Sequence, residues 1–126
     1  MKLSEVLNLD CSIFAHRLPG EGSGRESLEE HCTLTLEYSK RIIKAKKLES
    51  VLDNLFDCYF GSKNPELRKS CMEIIYLMIL LHDTGKINPA YQKIKMRNSY
   101  EHRPDFDFVS GTDHSLLSAV IYLDFC

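Results

Sequence analysis

Leu28, His31, Thr35, Tyr38 and Ile42 recur at steps of three and four, which places them on one helix face. Ser27-Leu28-Glu29-Glu30 has the S-x-x-E form of a capping box, so the pattern predicts a helix from there to about Lys47. Lys40, Arg41, Lys44, Lys46 and Lys47 fill its C-terminal half, where the helix dipole favours cations. Leu48, Val51, Leu52, Leu55, Phe56 and Tyr59 predict a second amphipathic helix. Gly61 to Pro65 breaks it, with Asn64 as N-cap and Pro65 at the first position of a third helix running to about Asp83. Ile74–Leu81 is apolar all round, the mark of a buried central helix. That octet alone also fits a buried strand, and the polar helical lead-in from Pro65 decides for helix. Gly85 is placed to stop it. Asn88-Pro89 opens a short helix through about Arg97, and residues 98–112 read as a polar loop. Thr112 or Asp113 then caps a last helix with Leu116, Leu117, Val120, Ile121 and Leu123 on its apolar side. No segment alternates cleanly as a strand, so the expected fold class is all-α.

The length of 126 residues fits a single domain over 1–126 and allows a core without disulfides. Sixteen Lys and Arg against eighteen Asp and Glu leave a formal charge of −2, with no global pull toward nucleic acid or an anionic membrane. The five cysteines form no CxxC pair, which argues against a zinc ribbon or a thiol redox site. They read as small hydrophobes of a reducing compartment. The opening MKLSEVLNLD carries acids and does not read as a signal peptide. The longest apolar run is an octet, where a membrane span needs roughly 20 residues. A cytoplasmic protein with no membrane partner is expected. The last helix meets no stop signal before Cys126, so the sequence reads as a C-terminally truncated domain.

The chemistry concentrates in Leu80-Leu81-His82-Asp83-Thr84-Gly85-Lys86. An ionised aspartate at the end of a buried helix is costly unless something offsets its charge. A neutral imidazole and a carboxylate together suit borderline divalent ions such as Mn, Fe, Co, Ni or Zn. A carboxylate has two oxygens and can bridge two ions, and two metals roughly 3.5–4 Å apart can clamp the oxygens of a phosphoester. A dipeptide by itself is also an ordinary solvated helix end. Its company changes the reading: His31 lies on the apolar face of its helix and His114 opens another.

With those residues in view, the chain resembles the HD superfamily of metal-dependent phosphohydrolases, and most closely the HD nuclease domain that partners the helicase of type I CRISPR interference. Phe14-Ala15-His16, Glu26-Ser27-Leu28-Glu29-Glu30-His31, His82-Asp83-Thr84-Gly85-Lys86-Ile87-Asn88-Pro89-Ala90-Tyr91-Gln92 and Asp113-His114-Ser115-Leu116-Leu117-Ser118-Ala119 carry the resemblance. It implies an HD-domain helical bundle. It further implies that His31, His82 and Asp83 hold a first metal, that Asp83 bridges, and that His114 binds a second. Lys86 would meet substrate phosphate, making Asp83 and Lys86 the catalytic pair. The implied cofactors are divalent ions, with Mg added to Mn, Co, Ni, Fe and Zn. A complete domain of this type continues with paired histidines and a late aspartate, which the sequence up to Cys126 lacks. The ligand count therefore predicts weak metal binding and slow cleavage for these 126 residues.

Two histidines stand apart. His16 reads as a structural hydrogen-bonding residue, and His102 as a surface residue that is also available as an additional ligand. Lys86, Lys93, Lys95, Arg97 and Arg103 face only Glu101 in charge, a pattern shared by a DNA-facing rim and a solvated helix face. Tyr91 and Tyr100 offer rings for base stacking, although Tyr91 equally suits packing. The expected function is cleavage of single-stranded DNA by a metal-dependent nuclease, with single-stranded DNA, the CRISPR helicase and the RNA-guided surveillance complex as partners. A phosphohydrolase acting on a small nucleotide, and an inactive metal-binding module that docks a helicase, are the alternatives.

Overall fold

Two caps foreseen in the sequence set the helical frame of the computed structural model, which describes residues 3–6, 12–17, 24–61, 64–98 and 114–125. Helix α1 is the single turn Leu3–Val6. Strands β1 (Phe14–Arg17) and β2 (Arg25–Ser27) pair antiparallel and lead directly into helix α2, Leu28–Ala45. Ser27 is the α2 N-cap, and its hydroxyl accepts from the Glu30 N–H. Helix α3 (Leu48–Phe60) ends at Gly61, whose φ of 58° is the left-handed conformation that glycine adopts without strain. Asn64 caps helix α4 (Pro65–Leu81), accepting from Glu66 and Leu67 ahead of a proline at the first position. A 3-10 turn, Thr84–Ile87, then leads to α5 (Pro89–Ile94), again capped by an asparagine side chain, Asn88. Helix α6 covers Ser115–Phe125. The architecture is all-α apart from the two-stranded β1–β2 pair.

The core lies where α2, α4, α1 and β1 meet, and joins Leu3, Ile13, Ala15, Leu28, Cys32, Leu36, Leu80 and Leu81. Three features depart from the sequence pattern. The stripe of α2 that enters the core is Leu28, Cys32, Leu36 and Ile43, while Tyr38 and Ile42 are exposed. Steps of four through Cys32 turn the buried face toward α4, so the anticipated face is the rim of the true one and His31 stands at its edge. The Ile74–Leu81 octet is likewise not buried all round: Leu80 and Leu81 are fully buried, but Ile74 and Met78 remain 45% and 50% exposed. Among the described residues α4 packs chiefly against α2 and α6, and two neighbours do not cover a helix that is apolar on every side. Finally, β1 and β2 escape detection because they have four and three residues and a register break lies between Phe14 and His16. A bulge removes the period-two alternation by which a strand is read.

Gln92 locks these pieces together. Fully buried, it accepts from the Phe14 N–H at 3.1 Å and donates to the carbonyls of Phe14 at 2.8 Å and Lys86 at 2.7 Å. One amide thus fixes the bulged strand to the 3-10 turn.

Candidate metal centre

The buried end of α4 delivers a carboxylate to a cluster of nitrogen atoms. Asp83, the residue before the 3-10 turn, is largely buried. Around it stand His31 Nε2 at 3.1 Å from Oδ2, His82 Nε2 at 3.4 Å from Oδ2, His114 Nε2 at 3.5 Å from Oδ1, and Lys86 Nζ at 2.7 Å from Oδ2. The structure therefore brings together all four residues expected as metal ligands: His31, His82, Asp83 and His114.

Each of two imidazoles has its tautomer set from behind. The Glu26 carboxylate, 3.2 Å from His31 Nδ1, can only accept, so Nδ1 carries a proton. The Ile79 carbonyl does the same for His82 Nδ1 at 2.8 Å. Nε2 is then the ring atom that faces Asp83 in both: as an N–H it donates to the carboxylate, and without that proton its lone pair is the one open to an ion, the arrangement in which an outer acceptor orients a metal-binding histidine. His114 is placed by a different device. A Cβ built on Gly85 would lie 1.9 Å from the His114 carbonyl oxygen, so only glycine lets the 3-10 turn approach the start of α6 so closely. The Gly85 N–H donates to Ser118 Oγ at 2.8 Å, and that hydroxyl donates to the His114 carbonyl at 2.8 Å. Gly85 has thus a different task from the helix stop expected of it: it lies within the 3-10 turn and serves as clearance.

The electrostatics are those of an anion among donors. Burial raises the Asp83 carboxyl, but hydrogen bonds from His82 and Lys86 outweigh it and hold that carboxyl well below the usual range. The same hydrogen bond to Asp83 raises His82 against the opposing effect of burial. Burial lowers His16, with the positive charge of Lys86 acting in the same sense. Burial, reinforced by the charge of Asp83, pushes the Cys32 thiol up to about 12, so it stays protonated beneath the cluster and offers no thiolate.

The donor set fits a divalent ion of the borderline class: imidazole nitrogens and a carboxylate, with no soft sulfur. His16, His31 and Asp83 each offer a ligand atom within 4.8 Å of the others. His31, His82, Asp83 and His114 are the residues that would hold such an ion on sequence grounds; among the described residues the mutually close group is His16, His31 and Asp83, while His82 and His114 each approach the Asp83 carboxylate outside that group.

The remaining sequence candidates divide. Lys86 is in the cluster, but its side chain is only 4% exposed and turns inward to Asp83, so contact with a phosphate requires it to let go of that partner. Lys93, Lys95 and Arg97 are exposed around the end of α5. Arg97 holds a left-handed φ of 50°, and its carbonyl accepts from the Arg25 guanidinium. Tyr91 is buried, with its ring edge-on to His114 at 5.1 Å, and so serves packing. His102, Arg103, Tyr100, Thr112 and Asp113 lie outside the described residues. Sequence reasoning missed Glu26, which sits five residues before His31 across the helix cap, a spacing with no periodic signature. His16, expected to make a structural hydrogen bond, does make one, with Lys86 Nζ at 3.2 Å, and its ring also packs edge-on to His31 at 4.6 Å.

Searches against family models, curated proteins and solved structures return no match for this chain. Among the described residues, no helix is long and apolar enough to cross a membrane.

Proposed function

We propose that the chain is a metal-dependent phosphohydrolase of the HD type, acting as a nuclease on single-stranded DNA in CRISPR interference. The observation that carries this reading is the convergence of three imidazole Nε2 atoms on the Asp83 carboxylate within 3.1–3.5 Å. A bound divalent ion supplies Lewis-acid stabilisation of phosphate charge and a more acidic water. The chain does the rest. Asp83 provides the negative charge that keeps a cation in the cluster. Glu26 and the Ile79 carbonyl hold His31 and His82 in the productive tautomer. His16 and His82 are exposed at the edge of the buried carboxylate, which suits a long polymer better than a closed nucleotide pocket. Lys93, Lys95 and Arg97 are exposed around the end of α5 and would meet the DNA backbone. A cytoplasmic setting, a CRISPR helicase and the RNA-guided surveillance complex belong to the same proposal.

The test combines metal analysis with cleavage of a labelled single-stranded oligonucleotide in Mn, Co or Ni. Metal-dependent cleavage that disappears in Asp83→Ala is expected, and full activity in that variant overturns the reading. Lys93→Ala with Lys95→Ala should weaken DNA binding and make it less salt-dependent. A helicase-docking role without catalysis is the second reading. It is favoured by Leu116, Val120 and Leu123, which leave one side of α6 exposed and apolar.

A further inference from the structure

We propose that His16 is a ligand residue of this centre, and that the Lys86 ammonium is the cation that His16 and Asp83 hold until a metal ion displaces it. The proposal rests on the metal-centre reading above and adds to it both a residue and an order of events.

Lys86 Nζ lies 2.7 Å from Asp83 Oδ2 and 3.2 Å from His16 Nε2. An ammonium has three donors and no acceptor. His16 Nε2 must therefore accept, which directs its lone pair toward the middle of the cluster. That is the electronic state a metal ligand needs, and here it already binds a positive charge. The position of His16 is built rather than incidental. The register break between Phe14 and His16 sets His16 opposite Glu26, the residue that orients His31. Gln92 secures the strand at Phe14 from both its N–H and its carbonyl. A bulge beside a site commonly re-aims a side chain in this way.

The ammonium is the movable part. A lysine head is a compact charge on a flexible four-carbon stem, so it can withdraw without disturbing the backbone that carries it. A divalent ion bound by Asp83 and His16 would meet Lys86 at contact distance, and two like charges against one carboxylate repel. Occupation by metal and the observed Lys86 position therefore exclude one another. Once displaced, the ammonium is released at the edge of the centre, where it is free to pair with a phosphate oxygen. This reconciles its inward position with the substrate contact expected from the sequence.

Titration with Co(II) tests the proposal, following both binding heat and the visible absorption of the bound ion. The proteins are the wild-type chain, His16→Phe, Lys86→Met and His31→Ala. His16→Phe keeps a ring against His31 but removes the lone pair; it should weaken Co(II) binding by about tenfold or more and change the absorption band. Lys86→Met removes the competing cation and should tighten binding. Far-UV circular dichroism checks each fold, and His16→Ala, at an exposed position, carries the same test if the phenylalanine variant does not fold. An unchanged affinity and spectrum in the His16 variants overturns the ligand assignment. Unchanged or weaker binding in Lys86→Met overturns the displacement. If His31→Ala abolishes binding while His16→Phe does not, His16 is excluded and the metal centre stands. If the wild-type chain binds no Co(II), both readings fail together.

Discussion

The two ends of α4 are built on different principles. At its C-terminal end Asp83, Thr84, Lys86, Asn88, Gln92 and Ser118 are all buried, and hydrogen bonds tie this polar group to β1, to α6 and to its own turn. At its N-terminal end α4 faces α3, where Phe56 is the one residue of α3 that is buried and Val51, Leu55 and Tyr59 are exposed. Arg68 spans that contact, paired with Asp57 and set 3.8 Å from Asp53, with its own Nε buried and without a partner. The polar end is over-determined, because Asp83, Lys86, Gln92 and Ser118 each have two or more partners that fix them. The apolar end depends on loose burial and one partly satisfied cation. The two ends therefore differ in satisfied polar connections more than in hydrophobic content.

Removing the hub should have the largest effect. Asp83→Asn leaves the buried Lys86 ammonium without its counter-charge, which should cost about 3–5 kcal/mol in urea unfolding and end metal binding. Arg68→Met at the other end, where the aspartates are more exposed, should cost about 1 kcal/mol or less. Equal losses would erase the contrast. A cut within α4 sharpens it further. Leu80→Ala should cost about 2–5 kcal/mol, whereas Met78→Ala, half exposed two residues earlier, should stay within about 0.5 kcal/mol. Similar values from denaturation would show that the burial gradient along α4 does not govern its stability.

Gly85→Ala should come next, at about 1–3 kcal/mol for a methyl forced into a filled space. It should also weaken metal binding while leaving helix content by circular dichroism unchanged, since the added carbon meets the His114 backbone and not a helix end. The smallest effect is in pH. His82 in the fold lies above its ordinary 6.5, so its contribution to stability is complete below pH 6.5 and is lost as pH rises through the folded value. His16 lies below 6.5, so its contribution is present above 6.5 and is lost as pH falls. The two oppose each other, and metal-free stability should change little across neutrality. Asp83 lies below 3.8, and its contribution disappears only as pH falls under that value. Imidazole proton resonances followed against pH should show His82 releasing its proton at higher pH than His16; the reverse order would contradict the cluster geometry.

Local signals carried most of the frame. Ser27, Asn64 and Asn88 cap the helices that follow them, because a cap depends on residues within one turn. His31, His82, Asp83 and His114 were readable as a set because each lies within or beside a helix signal, and the fold brings them together. Non-local facts were hidden. Which face of α2 is buried depends on α4 and β1, which no spacing within α2 reveals. The strand that carries His16 is too short and too irregular to show alternation. The partnership of Glu26 with His31 crosses the boundary between β2 and α2.

The contact at Gly85 has one more consequence, a matter of chain statistics. The hydrogen bond from Gly85 to Ser118 joins residues 33 apart in sequence, so His114 reaches the cluster at the end of a long tether. The entropic penalty of closing such a tether grows only logarithmically, by about 0.6 kcal/mol for each doubling of its length. An ion shared by Asp83 and His114 would act as a clasp on that tether, coupling the folding of α6 to loading of the centre. Gly85 and Ser118, which form the latch, are then the positions at which a substitution would loosen that coupling.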